Sequence, residues 1–262
     1  CIIRDNVGST SGIGWGGGLG AFYGNVTVEN TMVEDNVAST ADNGYGGGLF
    51  FRYGTATLTN NTVRNNVATA SSSSLGYGGG IQLFFDTATL ENTVVQGNIA
   101  SLGHTGYGGG VSLYGTNLFR MDGDLVTGNA ANTPNSAGYG GGISLRSNSE
   151  IEMDRVTVRE NVAYSDPPNF FGAGGGVWVE ESTLTMENGE VIDNAAYSGG
   201  GVHLTTSDGS RLTGNRIAGN EAESYGGGLY AQDSQSLDLS GNVFTSNDVS
   251  GDGGGAYILF SD

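Results

Sequence analysis

Three consecutive glycines occur nine times in this chain, starting at residues 16, 46, 78, 108, 140, 174, 199, 226 and 253. Each run carries a backbone-entropy cost, so this repeat limits the possible folds more than any other feature. A second mark keeps step with it. Asn6, Asn36, Asn66, Asn98, Asn129, Asn161, Asn194, Asn220 and Asn247 each follow an apolar residue by three positions: Ile3, Val33, Val63, Val95, Val126, Val158, Val191, Ile217 and Phe244. Successive glycine runs start 25 to 34 residues apart. Nearly all of that variation falls between the Asn and the next glycines, where segments such as TASSSSLGY (69–77) and YSDPPNFFGA (164–173) are inserted. A fixed scaffold thus carries one variable loop per repeat.

Within the fixed part the apolar period is two. Leu49 and Phe51, Ile81 and Leu83, Val111 and Leu113, and Val177 and Val179 flank Phe50, Gln82, Ser112 and Trp178, which marks a strand with one buried face. A second short strand carries Val28, Leu58, Leu90, Met121, Met153, Met186, Leu212 and Leu239, and the residues before each Asn make a third. One such repeat cannot bury enough apolar surface to order itself, so neighbours must stack. The predicted fold is all-β: a right-handed parallel β-helix of about nine coils with three short strands each, forming one domain over residues 1–262. The hand follows from the crossover rule. The glycines then mark a corner that every coil repeats. Asn36, Asn66, Asn98, Asn129, Asn161, Asn194, Asn220 and Asn247 are expected to form a hydrogen-bonded ladder at the opposite corner.

Composition narrows the function classes. Formal net charge is −18 and the nine basic residues are all Arg, so nucleic acid and anionic membrane surfaces would be repelled. No direct membrane insertion is expected either, since no apolar run approaches the length of a spanning helix. One Cys and two His leave no zinc or disulfide framework. The chain starts partway through one coil and stops just inside another, without a polar capping repeat, so it is expected to be a segment of a longer chain or to stack on copies of itself.

Phe244-Thr-Ser-Asn247 matches an FxxN repeat, and GGGI at 78–81 and 140–143 is a variant of a GGAI repeat. In both, the chain resembles the chlamydial polymorphic outer-membrane proteins and the wider group of bacterial right-handed β-helix surface proteins. Val or Ile replaces Phe in eight of the nine Asn motifs, and Gly replaces Ala throughout. The resemblance implies a secreted or cell-surface protein with an adhesive or structural role, partnered by copies of itself or by other surface proteins.

Candidate sites are few. No catalytic residues are assigned: Asp122 and Asp124 are the only tight acidic pair near a strand, Arg120 lies beside them, and no Lys exists to act as a base. They are expected to face solvent on a strand edge. Glu29, Glu91, Asp122, Asp154 and Glu187 align in one outward column, where stacked carboxylates repel unless Arg or a cation intervenes, and weak Ca²⁺ binding is the cofactor expectation. Trp15, Tyr45, Tyr77, Tyr107, Tyr139 and Tyr225 precede the glycines, either as a stabilising stack or as a ribbon of ring faces for a sugar or a partner. Trp178, His203, Tyr230 and Tyr257 fall at the outward position of four consecutive strands and are expected to form an exposed contact patch. His104 and His203 lack Cys or carboxylate partners and are expected in loops or at the surface. The expected function is a non-enzymatic extracellular structural or adhesion protein that self-assembles. A carbohydrate-binding or polysaccharide-degrading β-helix is the alternative.

Overall fold

Residues 1–134, 136–165 and 172–262 are described by a computed structural model; the PPNFF segment (167–171) lies outside them. Two sheets run the length of the chain with nine strands each, one from Leu19–Phe22 to Ala256–Leu259 and one from Ile2–Arg4 to Val243–Thr245. A third sheet lies between them in chain order, with seven strands from Asn25–Glu29 to Arg211–Thr213. Every strand pair is parallel, as in Thr55–Thr59 against Thr87–Glu91, where Leu58 stands over Leu90. Nine stacked layers enclose about eight turns. The described residues contain no helix.

Most coils also have two strands beyond the three that the apolar period reveals, merged into one at Ala195–Ser198 and Glu221–Tyr225. Val67–Thr69 follows Asn66, and Gly76–Tyr77 precedes the glycines, each pairing with its counterparts one coil away. The inserted loop is confined to the few residues between them. These two strands escape a search for alternating apolar residues because they bury Ala68 and a glycine rather than large side chains.

Equivalent residues stack to make one continuous core. Val33, Val63, Val95, Val126, Val158, Val191 and Ile217 are fully buried, as are Leu49, Ile81, Val111, Ile143, Val177, Val202 and Leu229. Burial of each such side chain contributes roughly 2 kcal/mol, and strand pairing between coils satisfies the backbone around it.

The three glycines have three separate causes. The first, such as Gly46 with φ of +64°, adopts the left-handed conformation that side chains disfavour. A Cβ on the second, Gly47, would collide with the Gly79 carbonyl of the next coil and with the Val67 backbone. A Cβ on the third, Gly48, would lie 3.0 Å from Asn66 Nδ2. The Asn column therefore does not occupy the opposite corner: it packs directly against the glycine column, and the missing side chains make room for it.

The Asn ladder is continuous from Asn6 to Asn247. Asn66 donates from its backbone N–H and from Nδ2 to Asn98 Oδ1, at 2.9 and 3.0 Å, and Asn98 repeats both bonds to Asn129. The second Nδ2 hydrogen goes to a carbonyl of the preceding coil, Val63 in the case of Asn98. Each buried amide is thus satisfied on both sides, as a low-dielectric interior demands.

Candidate functional site

Strand register arranges the outer face of the post-glycine sheet into a groove. Trp15, Tyr45, Tyr77, Tyr107 and Tyr139 are in register and form one wall. Five residues after each lies the floor: Gly20, Phe50, Gln82, Ser112 and Ser144, also in register. Two residues further on, Phe22, Arg52, Phe84, Tyr114 and Arg146 make the opposite wall.

The wall rings stack on one another, with centroids 4.3 Å apart for Trp15 and Tyr45, 4.8 Å for Tyr45 and Tyr77, and 5.2 Å for the next two pairs. Their faces are consequently largely occupied by neighbouring rings. Of the two arrangements open from the sequence, the rings therefore form the stack and not a ribbon of free ring faces. Burial pushes the phenol groups of Tyr45, Tyr77, Tyr107 and Tyr139 up from their ordinary value, so they remain protonated hydrogen-bond donors.

Two cations enter this groove. The Arg146 guanidinium lies 4.0 Å from the centroid of the Tyr107 ring and 5.2 Å from that of Tyr77. Arg52 lies 4.7 Å from the Tyr53 ring and 4.8 Å from Phe84. Among the described residues these two alone of the nine arginines form no ion pair. Beneath them Gln82, Ser112 and Ser144 are at most 1% exposed. Gln82 Oε1, Ser112 Oγ, Ser144 Oγ and the Nε atoms of Arg52 and Arg146 are buried without a hydrogen-bond partner. A cavity of about 190 Å³ opens over Gln82, between Tyr45 and Tyr77 on one side and Phe84 and Tyr114 on the other, with Arg146 at its rim.

Further along the same face the aromatics change place. Ala173 and Ser198 continue the wall, while Trp178, His203, Tyr230 and Tyr257 continue the floor. Parity does put these four on the outer face, but Trp178 is only 5% exposed and Tyr230 8%, so the expected exposed patch is a packed layer. Trp178 lies 4.9 Å from Tyr139, and Tyr230 stacks on His203 at 4.5 Å and on Tyr257 at 5.9 Å. Tyr225 sits beside Tyr257 at 4.9 Å. His203, expected at the surface, is buried: Nδ1 is 3.0 Å from Ser198 Oγ and Nε2 2.9 Å from Thr205 Oγ1. Burial pulls its pKa down to about 4, so it is neutral at physiological pH. His104 is exposed.

The acidic column lies on the neighbouring sheet. Glu29, Thr59, Glu91, Asp122, Asp154 and Glu187 are in register. Arg155 bridges Asp122 and Asp154, and Arg211 lies 3.8 Å from Glu187. Arg thus takes the place of a cation at Asp122, Asp154 and Glu187, though at neither Glu29 nor Glu91, and no group of three or more potential metal-binding side chains occurs among the described residues. Asp124 does not face solvent with Asp122. It is 2% exposed at an inner turn, accepts from the backbone N–H groups of Thr93 at 2.6 Å and Asp122 at 3.0 Å, and burial pushes its pKa up to about 7. It occupies a column in which Asn61, Asn215 and Asn242 play the same turn-bridging part, so its place is architectural.

The profile of a family described as right handed beta helix region matches residues 131–261, half of the chain. No curated protein and no solved structure matches the chain. Among the described residues, no helix is long and apolar enough to cross a membrane.

Proposed function

We propose that this chain, which belongs to the right-handed β-helix family, is a non-enzymatic structural or adhesive solenoid of a secreted or cell-surface protein that associates with copies of itself or with other surface proteins. The observation that carries this reading is the commitment of its chemically capable side chains to architecture. Asp122 and Asp154 are bridged by Arg155, Asp124 ties a turn, and both nitrogens of His203 are held by hydroxyl groups. An acid–base pair would instead hold two titratable groups around an open space in which a substrate could sit. The continuous Asn ladder favours a rigid, extended element, which suits display and assembly. Kinship to polymorphic outer-membrane repeats in particular rests on Phe244-Thr-Ser-Asn247 and the two GGGI segments.

Electron microscopy of the purified chain, with and without a calcium chelator, tests the reading. Filaments or lattices are expected. Isolated rods about 40 Å long at every concentration, together with cleavage or binding of polysaccharide, would overturn it in favour of a carbohydrate-active protein. That second reading draws on the aromatic walls and polar floor of the groove.

A further inference from the structure

We propose that two copies of this chain pair side by side and antiparallel, about a twofold axis near Tyr53, through the corner that follows the strands Leu19–Phe22, Leu49–Arg52 and Ile81–Phe84. The inference rests on the self-association reading and adds to it the face and the orientation. At that corner Phe22 is 46% exposed, Tyr23 76%, Tyr53 40% and Phe85 41%. Tyr23, Tyr53 and Phe85 stack along the solenoid, with centroids 5.3 and 5.7 Å apart. Each holds the left-handed backbone, at φ of +57°, +58° and +51°, which bulky side chains disfavour. The turn itself does not call for a ring: Gly115 takes the equivalent place one coil on, and Glu181, Thr206 and Asp233 take it in later coils. Exposed rings held in strained backbone fit a contact surface.

Charge selects the occupant. Residues 22–28, 52–58 and 84–90 carry no exposed carboxylate in a chain of net charge −18: Asp86 is 1% exposed and accepts the Gly54 N–H at 2.8 Å. The charge they do present is Arg52, whose guanidinium lies over the Tyr53 and Phe84 rings. A basic partner would be drawn to the carboxylates elsewhere on the surface, whereas a corner cleared of acid suits a partner that is itself acidic, as a second copy is. The orientation follows from the rest of the same edge, where Glu150, Glu181, Asp208 and Asp233 are exposed. Parallel pairing would set these carboxylates against their counterparts; antiparallel pairing about Tyr53 sends them in opposite directions. The four rings expose roughly 400 Å² per copy at about 200 Å² per ring. That is about half of what a standard interface buries on each side, so the dimer is expected to be weak.

Sedimentation equilibrium of the purified chain from micromolar to millimolar concentration tests the proposal, with thermal unfolding recorded for each variant. A monomer–dimer equilibrium with a Kd of about 10–100 μM is expected. Joint replacement Tyr23→Gly, Tyr53→Gly and Phe85→Gly, which gives the corner the residue already found at Gly115, is expected to keep the fold and weaken association at least about tenfold. Thr206→Gly with Asp233→Gly, at the same corner in the acidic coils, is expected to change it by less than about twofold. In a Cys1→Ser background, Tyr53→Cys is expected to cross-link to its own copy on oxidation and Thr206→Cys is not. Unchanged association in the folded triple-glycine variant would overturn the face and leave self-association standing, and cross-linking through Thr206→Cys rather than Tyr53→Cys would overturn the antiparallel orientation. A chain that stays monomeric at every concentration would overturn the proposal together with the self-association it rests on. A monomeric parent chain whose binding to a glucan is lost in the triple-glycine variant would overturn it in favour of a polysaccharide on the same rings.

Discussion

Between Tyr45 and Tyr139 the groove carries its rings on the wall, and from Gln82 onward its floor is small and polar; at Ala173 and Ser198 the wall is small and Trp178 and His203 fill the floor. The two regions fill the same space over the glycine corner with opposite placements of the bulk. Phe50 and Tyr230 show that both positions can be large when neighbouring coils leave room, since Phe50 tucks against Trp15 at 5.1 Å and Tyr230 stacks on His203 at 4.5 Å. What the fold requires is a filled corner; which strand supplies the ring decides whether the floor beneath is polar or aromatic, and a cavity of about 450 Å³ still opens over Trp178, His203 and Tyr230. The two regions thus fill one corner with different chemistry on the outer face.

The largest expected effect comes from emptying the aromatic floor. Trp178→Ala should cost about 3–5 kcal/mol, since it removes a nearly fully buried ring. Tyr107→Ala removes a ring only partly buried in its stack and should cost about 1–2 kcal/mol. Restoring the bulk from the other side sharpens the comparison: Ala173→Tyr added to Trp178→Ala recreates the N-terminal placement and should recover about 1–2 kcal/mol in urea denaturation. An additive double variant would break the idea that wall and floor share one space.

Acid should then move the two regions in opposite directions. Asp124, in the N-terminal half, has a folded pKa of about 7 against an ordinary 3.8, so the native state holds a proton that the unfolded chain releases between those values. Its contribution rises as pH falls from about 7 to 4. His203, in the C-terminal half, has a folded pKa of about 4 against 6.5, so the unfolded chain takes up the proton first and stability falls over pH 6.5 to 4. Each effect should reach about 3–4 kcal/mol at most, the scale set by the separation of the folded and ordinary values. Hydrogen exchange at pH 4.5 and 7.5, each corrected for its intrinsic rate, should show the coils around His203 losing protection while those around Asp124 gain it. Asp124→Asn, which gives the column the residue found at Asn61 and Asn215, should abolish the gain.

Two phases of the repeat were enough to reveal the solenoid, because the Val-x-x-Asn and triple-glycine columns recur wherever equivalent backbone stacks on itself. Strand parity also placed Trp178, His203, Tyr230 and Tyr257 on the outer face correctly. Their burial was not legible, since it comes from a wall that belongs to the two glycine- and alanine-centred strands, which show no apolar alternation. The same strands hid the contact between Gly48 and Asn66. The groove left one sequence signal: aligning the coils puts Arg52 and Arg146 in a column with Phe22, Phe84 and Tyr114, and Glu180 follows Arg146 in it. Asp124 was misread because its neighbour Asp122 faces solvent, and a turn between them reverses the direction of the side chain.

The acidic column provides the smallest effect and a control, because it runs through both regions on a different sheet and should ignore what happens in the groove. Arg155 bridges two carboxylates whose side chains are 47% and 42% exposed, and exposed ion pairs contribute about 0–1 kcal/mol. Arg155→Ala should thus lower stability by less than about 1 kcal/mol. Its informative consequence is a change of dependence. With the guanidinium gone, Asp122 and Asp154 face each other at strand spacing, where like charges interact at the kcal level, and a divalent cation becomes the available means of relieving them. Millimolar Ca²⁺ should therefore raise the melting temperature of Arg155→Ala while leaving the parent chain unmoved. If Ca²⁺ stabilises the parent equally, the cation binds elsewhere along Glu29, Glu91 and Glu187, and Arg155 is not what substitutes for it.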